Sequence, residues 1–338
     1  MKGRNVLFSG GKWHCCIVKP SYAGVVEKFA VSELRRYLRR ITGRPIRVKE
    51  EATGPGIRVG REFARHIEDV DSLGSNGLVI QSHGEDIIIA SCGEKGVLNG
   101  VYEFLEILGC RWYYPGSGEV VPRVETLSVT DLNVRMRPSF SIITFFQDYG
   151  GHRDYSVEEM KAVQQENDRA LLDWMGKNKM NAIMGTALSP REERRERRKR
   201  ALSKEFGGHA IPTLLPRSLF EEHPDYFPVG RDGKRNREGN ICCSNEAALE
   251  VVQRNAIEMA KRNEGIVFHV WGSDVAQGAW CSCENCRGIS IQAQYMRVVN
   301  AVAEAVERVR PDLRVAHIAY YDTLLPDVKV KPRPNVVL

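Results

Sequence analysis

From residue 139 onwards the sequence repeats one rhythm: a short apolar run, a long amphipathic stretch, then another short apolar run. The apolar runs are 139–148 (SFSIITFFQD), 180–187 (MNAIMGTA), 265–274 (GIVFHVWGSD) and 313–322 (LRVAHIAYYD), and NVVL (335–338) begins another. Helical spacing marks residues 157–178, 246–263 and 290–309 between them. Strands separated by helices of this length pair in parallel through right-handed crossovers. Such a series closes into a (β/α)8 barrel of the TIM type or opens into a doubly wound sheet. No phosphate-cradling glycine fingerprint follows any of the runs, which argues against a nucleotide site. A weaker strand candidate, 207–216 (GGHAIPTLLP), has Pro212 inside it. About five and a half strand–helix units are fewer than a closed barrel needs. With PRPNVVL at the C-terminus, the expectation is a barrel that stops early, in a chain that is a fragment.

The first 132 residues read differently. A strand at 13–18 (WHCCIV) precedes a helix at 23–41, whose stripe is Val26, Phe29, Ala30, Leu34, Tyr37, Leu38 and Ile41. Gly43-Arg44 supplies a C-cap and PIRV (45–48) resumes as strand. Residues 77–91 read as a hairpin around His83-Gly84-Glu85-Asp86, 94–108 as a helix ending at Gly109, and a last strand lies near 125–129. The reading is therefore α/β throughout: a small α/β sandwich (1–132), a linker (133–139) containing Pro138, and a partial barrel domain (140–338).

A 42% hydrophobic and 27% charged composition leaves enough apolar side chains for real cores. Of the formal net charge of +6, REERRERRKR (191–200) supplies seven basic and three acidic residues, a surplus of four. Glu is interleaved with Arg at helical spacing there, so an ion-paired surface helix is expected rather than a nucleic-acid patch. No segment approaches the ~20 apolar residues of a membrane span. MKGRNVLFSGGKWHCC lacks the apolar core and cleavage site of a signal peptide, so a cytoplasmic location without membrane contact is the expectation.

Chemistry in a barrel sits at the C-terminal ends of the strands. Those ends carry Gln147 and Asp148, Trp271 and Asp274, and Tyr320, Tyr321 and Asp322, with His209 near the weaker strand. Carboxylates among aromatic platforms fit glycoside hydrolysis, in which one carboxyl protonates the leaving oxygen and another group supports an oxocarbenium-like centre. Asp274 is the candidate catalytic acid. Asp148, His209, Trp271, Trp280, Tyr320, Tyr321 and Asp322 are the candidate sugar-binding residues. Trp and Tyr at strand ends are more often packing residues, and Asp148 and Asp322 serve equally well as helix N-caps.

Nine cysteines, unevenly spaced, do not make a small disulfide scaffold. Cys281, Cys283 and Cys286 follow C-x-C-x2-C, and the second pair has the spacing of a zinc turn. Cys243 is taken as the fourth ligand, with its neighbour Cys242 and His209 as alternatives. Four protein ligands close the coordination sphere, so the set reads as a structural staple, zinc or disulfide, with no cofactor needed for catalysis.

Two groups of segments resemble known families. EKGVLNGVYEFLEILGCRWYYPGSGEVVP (94–122) is similar to the α/β domain that precedes the barrel in α-glucuronidases and β-hexosaminidases. GGHAIPTLLPRSLFEEHPDYFPVGRDGKRNREGNICCSNEAAL, VWGSDVAQGAWCSCENC and QYMRVVNAVAEAVERVRPDLRVAHIAYYDTLLP resemble the bacterial domain-of-unknown-function 4838 proteins, part of which is classed as glycoside hydrolase family 163, endo-β-N-acetylglucosaminidases. The resemblance implies a (β/α)8 barrel that hydrolyses β-linked N-acetylglucosamine in N-glycans with retention, the 2-acetamido group assisting in one variant. It also implies an acid at the end of the fourth strand, usually an Asp-Glu pair. Asp274 matches the Asp, but no Glu follows it. His209 and Tyr320 match recurrent positions that bind sugar hydroxyls. Family members are often exported, which leaves the compartment open, as is the oligomeric state. A sugar-binding protein without catalysis and a zinc-stapled interaction module are the alternatives.

Overall fold

The hairpin expected at 77–91 organises the N-terminal half in the computed structural model, which describes residues 4–146, 157–273, 279–325 and 329–338. In chain order the first elements are β1 (Arg4–Ser9), β2 (Lys12–Trp13), β3 (Cys16–Val18), α1 (Val25–Thr42), β4 (Val48–Lys49) and β5 (Gly56–Val59). Then come β6 (Leu78–His83), β7 (Asp86–Ala90), α2 (Glu94–Ile107), β8 (Arg111–Trp112), β9 (Glu119–Val120), β10 (Leu127–Thr130) and β11 (Asn133–Met136). After these follow α3 (Val157–Lys177), β12 (Ala182–Ile183) and α4 (Pro190–Lys199). Residues 1–203 form one compact unit and 204–338 a second.

In the first unit, six strands lie in the order β11-β6-β7-β5-β3-β4. The β7-β5-β3-β4 ladder is parallel, while β6 and β11 run antiparallel. Alternate residues leave opposite faces of a strand. Ile80, Ile87 and Ile89 therefore enter the core formed with α1 and α2, whereas Val79 and Ala90 pack beneath Ala64 and Ile67 on the other face. The stripe read from the sequence is what α1 buries: Val26, Ala30, Leu34, Tyr37, Leu38 and Ile41 are at most 3% exposed. This helix stops at Gly43, whose left-handed φ of 72° brings its N–H onto the Arg39 carbonyl at 2.8 Å.

Several expectations change in this unit. The single strand at 13–18 divides into β2, which pairs with β1, and β3, which belongs to the six-stranded sheet. β1 pairs antiparallel with β10, a partner more than a hundred residues away. Residues 133–136, read as the start of the linker, form β11 and pair with β6. The described part of the expected strand 139–148 is not a strand; it is held instead by Asn181, far along the chain. The Ile143 N–H donates to Asn181 Oδ1 at 2.7 Å, and the Asn181 N–H donates to the Ile143 carbonyl at 2.9 Å. The run 180–187 shortens to β12. The basic run is α4, capped by Ser189 and ion-paired through Arg197–Glu193 (3.1 Å) and Lys199–Glu196 (2.6 Å).

The second unit continues with β13 (Ser203–Gly208), α5 (Ile211–Leu214), α6 (Glu246–Arg262), β14 (Val267–Val270), α7 (Ile291–Glu307), β15 (Arg314–Ala316) and β16 (Val336–Val337). β13 to β16 lie side by side in chain order and all run parallel. Phe206 stacks on Phe268 at 4.8 Å, in one core with Val252 of α6, Val299 and Val302 of α7, and Val315. Asn245 and Ser290 cap α6 and α7 by accepting from the Ala248 and Ala293 N–H groups at 3.0 and 3.1 Å. The strand expected at 207–216 lies earlier, as β13, and Pro212 sits in the first turn of α5, where no N–H is needed. A closed eight-stranded barrel is not seen among the described residues; the parallel strands form an open run. No helix among them is long and apolar enough to cross a membrane.

Candidate functional site

Parallel βα units place their loops at the C-terminal ends of the strands, and in the second unit those ends are Gly208, Val270 and Ala316. β13 reaches its end on two glycines with φ of 101° and 105°. A Cβ on Gly207 would stand 2.1 Å from the His269 carbonyl oxygen, so the position admits no side chain. His209 follows, exposed, with Nδ1 2.7 Å from the Gly272 carbonyl. A carbonyl only accepts, so Nδ1 carries the proton and Nε2 of the neutral ring is an acceptor.

Trp271 continues β14 through its N–H to the Gly208 carbonyl at 2.7 Å. Its ring stands edge-on to both His209 and His269, at 5.5 Å from each. Ser273 is fixed from three sides. Its N–H donates to Asn240 Oδ1 at 2.7 Å, its hydroxyl donates to the Gly239 carbonyl at 3.2 Å, and Arg217 Nη2 donates to that hydroxyl at 3.1 Å. Burial pushes the Arg217 guanidinium below its ordinary pKa. The loop is thus held firmly up to the residue before Asp274. Asp274 itself, like Gln147 and Asp148, lies outside the described residues.

Beneath Trp271, His269 Nε2 donates to Glu205 Oε2 at 2.7 Å. The Glu205 side chain is 3% exposed, and its other oxygen, Oε1, is buried without a protein partner. Asn240 Nδ2 and two of the Arg217 nitrogens are in the same condition. Glu205, His269, Asn240 and Arg217 were not singled out in the sequence. The alternation Val267, His269, Trp271 along β14 is the signal that puts His269 on the face of Trp271.

At the end of β15, Tyr320 and Tyr321 are 49% and 76% exposed, with ring centroids 4.3 Å apart. Asp322 is exposed and does not cap a helix. The turn at 321–323 is ordered by Thr323, whose hydroxyl accepts from the Tyr320 N–H at 3.1 Å, and Gln292 Nε2 donates to the Asp322 carbonyl at 3.1 Å. Trp280 is engaged otherwise. It packs on Tyr295 at 5.5 Å beside the core, and Tyr295 donates its hydroxyl to the Val270 carbonyl at 2.6 Å. Burial raises that phenol to about 12.

The cysteines need one correction. Cys242, rather than Cys243, joins Cys281, Cys283 and Cys286, and these four sulfurs lie within 4.8 Å of one another. Cys243, the next residue, lies outside this group, buried in the core with its sulfur 3.8 Å from that of Cys286. His209 is turned to Gly272 instead. Hydrogen bonding from the Cys281 thiol, then from Ser244, lowers the pKa of Cys242 against the opposing effect of burial.

This α/β fold is shared with glycoside hydrolases. The GH115 4-O-methyl-α-glucuronidase BtGH115A, with specificity for decorated arabinogalactans, superposes with a TM-score of 0.61 at 14% identity over 98% of this chain and 45% of its own. The GH20 β-N-acetylhexosaminidase of Streptomyces coelicolor A3(2) gives 0.54 at 15% identity, over 100% and 67%. The GH20 exo-β-N-acetylglucosaminidase of Vibrio harveyi, in complex with N-acetylglucosamine, gives 0.50 at 12%, over 94% and 52%. The chain thus spans about half the length of the Vibrio enzyme. No curated protein matches the sequence. Residues 113–338 match the family described as "Domain of unknown function (DUF4838)", and the chain belongs to that family.

Proposed function

We propose that this protein is a glycoside hydrolase of the family 163 kind, whose parallel unit belongs to a (β/α)8 barrel and whose substrate is a glycan with β-linked N-acetylglucosamine. The observation that carries the reading is the strand end 271–273, which Asn240, Gly239 and Arg217 fasten next to the exposed His209, Asp274 being the next residue in the sequence. The solved hexosaminidases with this fold, one holding N-acetylglucosamine, support the substrate class.

In this reading Asp274 protonates the glycosidic oxygen as the bond to the anomeric carbon breaks. The substrate's own 2-acetamido oxygen attacks that carbon from the opposite face, so the configuration is retained after water opens the intermediate. His209 Nε2 accepts a sugar hydroxyl. Trp271, Tyr320 and Tyr321 offer apolar faces to pyranose rings. Glu205, through His269, is a positioning group beneath that floor. Asp148 and Asp322 are further hydroxyl-binding candidates.

The test is to incubate the protein with complex N-glycans and chitooligosaccharides and to measure new reducing ends. Turnover that falls by about 100-fold or more in Asp274→Asn supports the reading, that being the usual contribution of a general acid. Absence of both turnover and glycan binding overturns it. Binding without turnover favours a second reading, a sugar-binding protein, which the Val275 that follows Asp274 in place of a Glu supports.

A further inference from the structure

Four sulfurs from two separate segments meet in the second unit. Cys242 precedes α6, while Cys281, Cys283 and Cys286 lie in the connection from β14 to α7. The Cys242 sulfur is 3.6 Å from that of Cys281, 3.8 Å from Cys283 and 3.9 Å from Cys286. A metal ion about 2.3 Å from each of four tetrahedrally placed thiolates sets the sulfurs ~3.8 Å apart. A disulfide needs ~2.05 Å, and none of these separations approaches it. Three sulfurs at 3.6–3.9 Å from the fourth match the edges that meet at one corner of a coordination tetrahedron, and all four lie within 4.8 Å of one another.

The surroundings fit the same ion. Cys281 and Cys242 are 3% exposed and Cys286 is fully buried. The Cys283-to-Cys286 segment closes as a turn, with the Cys286 N–H on the Cys283 carbonyl at 2.9 Å. Polar groups face the sulfurs: the Val229 N–H donates to Cys281 at 3.4 Å, and the Ser244 oxygen accepts from the Cys286 thiol at 3.1 Å and lies 3.4 Å from the Cys242 sulfur. Once a metal has displaced the thiol protons, the Val229 N–H and the single Ser244 O–H are placed to disperse the double negative charge of a divalent ion held by four thiolates.

We infer that Cys242, Cys281, Cys283 and Cys286 bind one structural zinc ion. The coordination sphere is closed by protein, so the ion takes no part in the chemistry at Asp274. It fastens the start of α6 to the loop that leads from Trp271 to α7. This inference does not depend on the glycosidase reading, because its readouts are metal content and spectrum.

Metal analysis of the purified protein by mass spectrometry is expected to find about one zinc per chain. Cys243→Ser, next to the cluster but outside it, keeps the zinc; Cys242→Ser and Cys283→Ser lose at least about nine-tenths of it. If those variants fail to fold, the wild type decides. Zinc is stripped with a chelator under reducing conditions and cobalt(II) is added. The thiolate charge-transfer and visible d–d bands of a tetrahedral tetrathiolate then appear, and zinc abolishes them. Metal-free protein, iron in place of zinc, equal loss from Cys243→Ser, or thiols paired as disulfides would each overturn the inference.

Discussion

Glu119 and Glu205 are both strand carboxylates drawn into an interior, and the two units treat them in opposite ways. Glu119, in β9, is surrounded: Tyr37, Arg40 and Trp112 donate to it and Lys177 pairs with it at 3.4 Å. Burial alone would raise its pKa, but the Tyr37 and Arg40 bonds, with Lys177 and Trp112, bring it down to about 2. Glu205, in β13, has His269 and leaves one oxygen without a protein partner. Among the described residues, unpartnered buried side-chain atoms follow the same division. The first unit has Asn99 Oδ1 and Arg200 Nε, whereas the second has Glu205, Asn240, two Arg217 nitrogens and His317 among others. A unit whose polar groups are satisfied is built to stand still. In the glycan-binding proposal, the groups left over in the second unit are ones that bound sugar or water completes.

The largest way to break this contrast is Glu119→Gln. Removing the anion from beneath Arg40 and Lys177 should cost about 2–4 kcal/mol in chemical unfolding. It should also flatten the acid limb of stability. The folded pKa is depressed, so Glu119 contributes fully above the unfolded value near 4.5, and this contribution fades as the pH falls toward 2. Glu119 is partly exposed, so that limb should amount to only about 1–2 kcal/mol in wild-type midpoints compared at pH 7 and pH 3.

Lys95 gives the next effect. It is 4% exposed, donates to the Arg200 carbonyl at 3.1 Å, and burial followed by the Arg200 charge lowers its pKa to about 7. Below that value both folded and unfolded chains hold the proton. Between about 7 and 10 only the unfolded chain does, so stability should rise with pH by about 2–3 kcal/mol from pH 7 to pH 9. Lys95→Met should abolish the rise in urea midpoints; an unchanged slope would mean that the ammonium is hydrated.

Glu205→Gln should reverse the Glu119 pattern. The unfolding midpoint should move by less than about 1 kcal/mol, because a buried carboxylate with one partner contributes little net stability. Glycan affinity, or turnover if the protein is an enzyme, should drop about tenfold, equivalent to about 1.4 kcal/mol. A stability loss as large as that of Glu119→Gln would sink the distinction. The smallest effect is Asn245→Ala, which removes the cap of α6 at about 1 kcal/mol without altering glycan affinity, as isothermal titration would register.

The parts legible in the sequence are those whose information is local. The α1 stripe, the hairpin of β6 and β7, and the helices α6 and α7 announce themselves through period and caps within a few turns of chain. β1 could not, since its partner β10 lies more than a hundred residues along the chain. β13 hides in SKEFGG, which alternates poorly because its end is bare glycine. The site was legible in the same uneven way. Strand ends pointed to His209 and Trp271, but the choice between Cys242 and Cys243 depends on which side chain faces a segment some forty residues away. That Trp280 packs on Tyr295 could not be read, because nothing in the local spacing pairs the two.

Gly207 has a consequence for how this protein can diverge. The oxygen that a Cβ would strike belongs to the backbone of β14, which no rotamer change can move aside. A descendant that changes the chemistry of this strand end has no mutational route through this position while the two strands stay paired. Its heritable variation must pass through the neighbours at 209, 271 and 273, so one silent residue channels the paths along which this strand end can evolve.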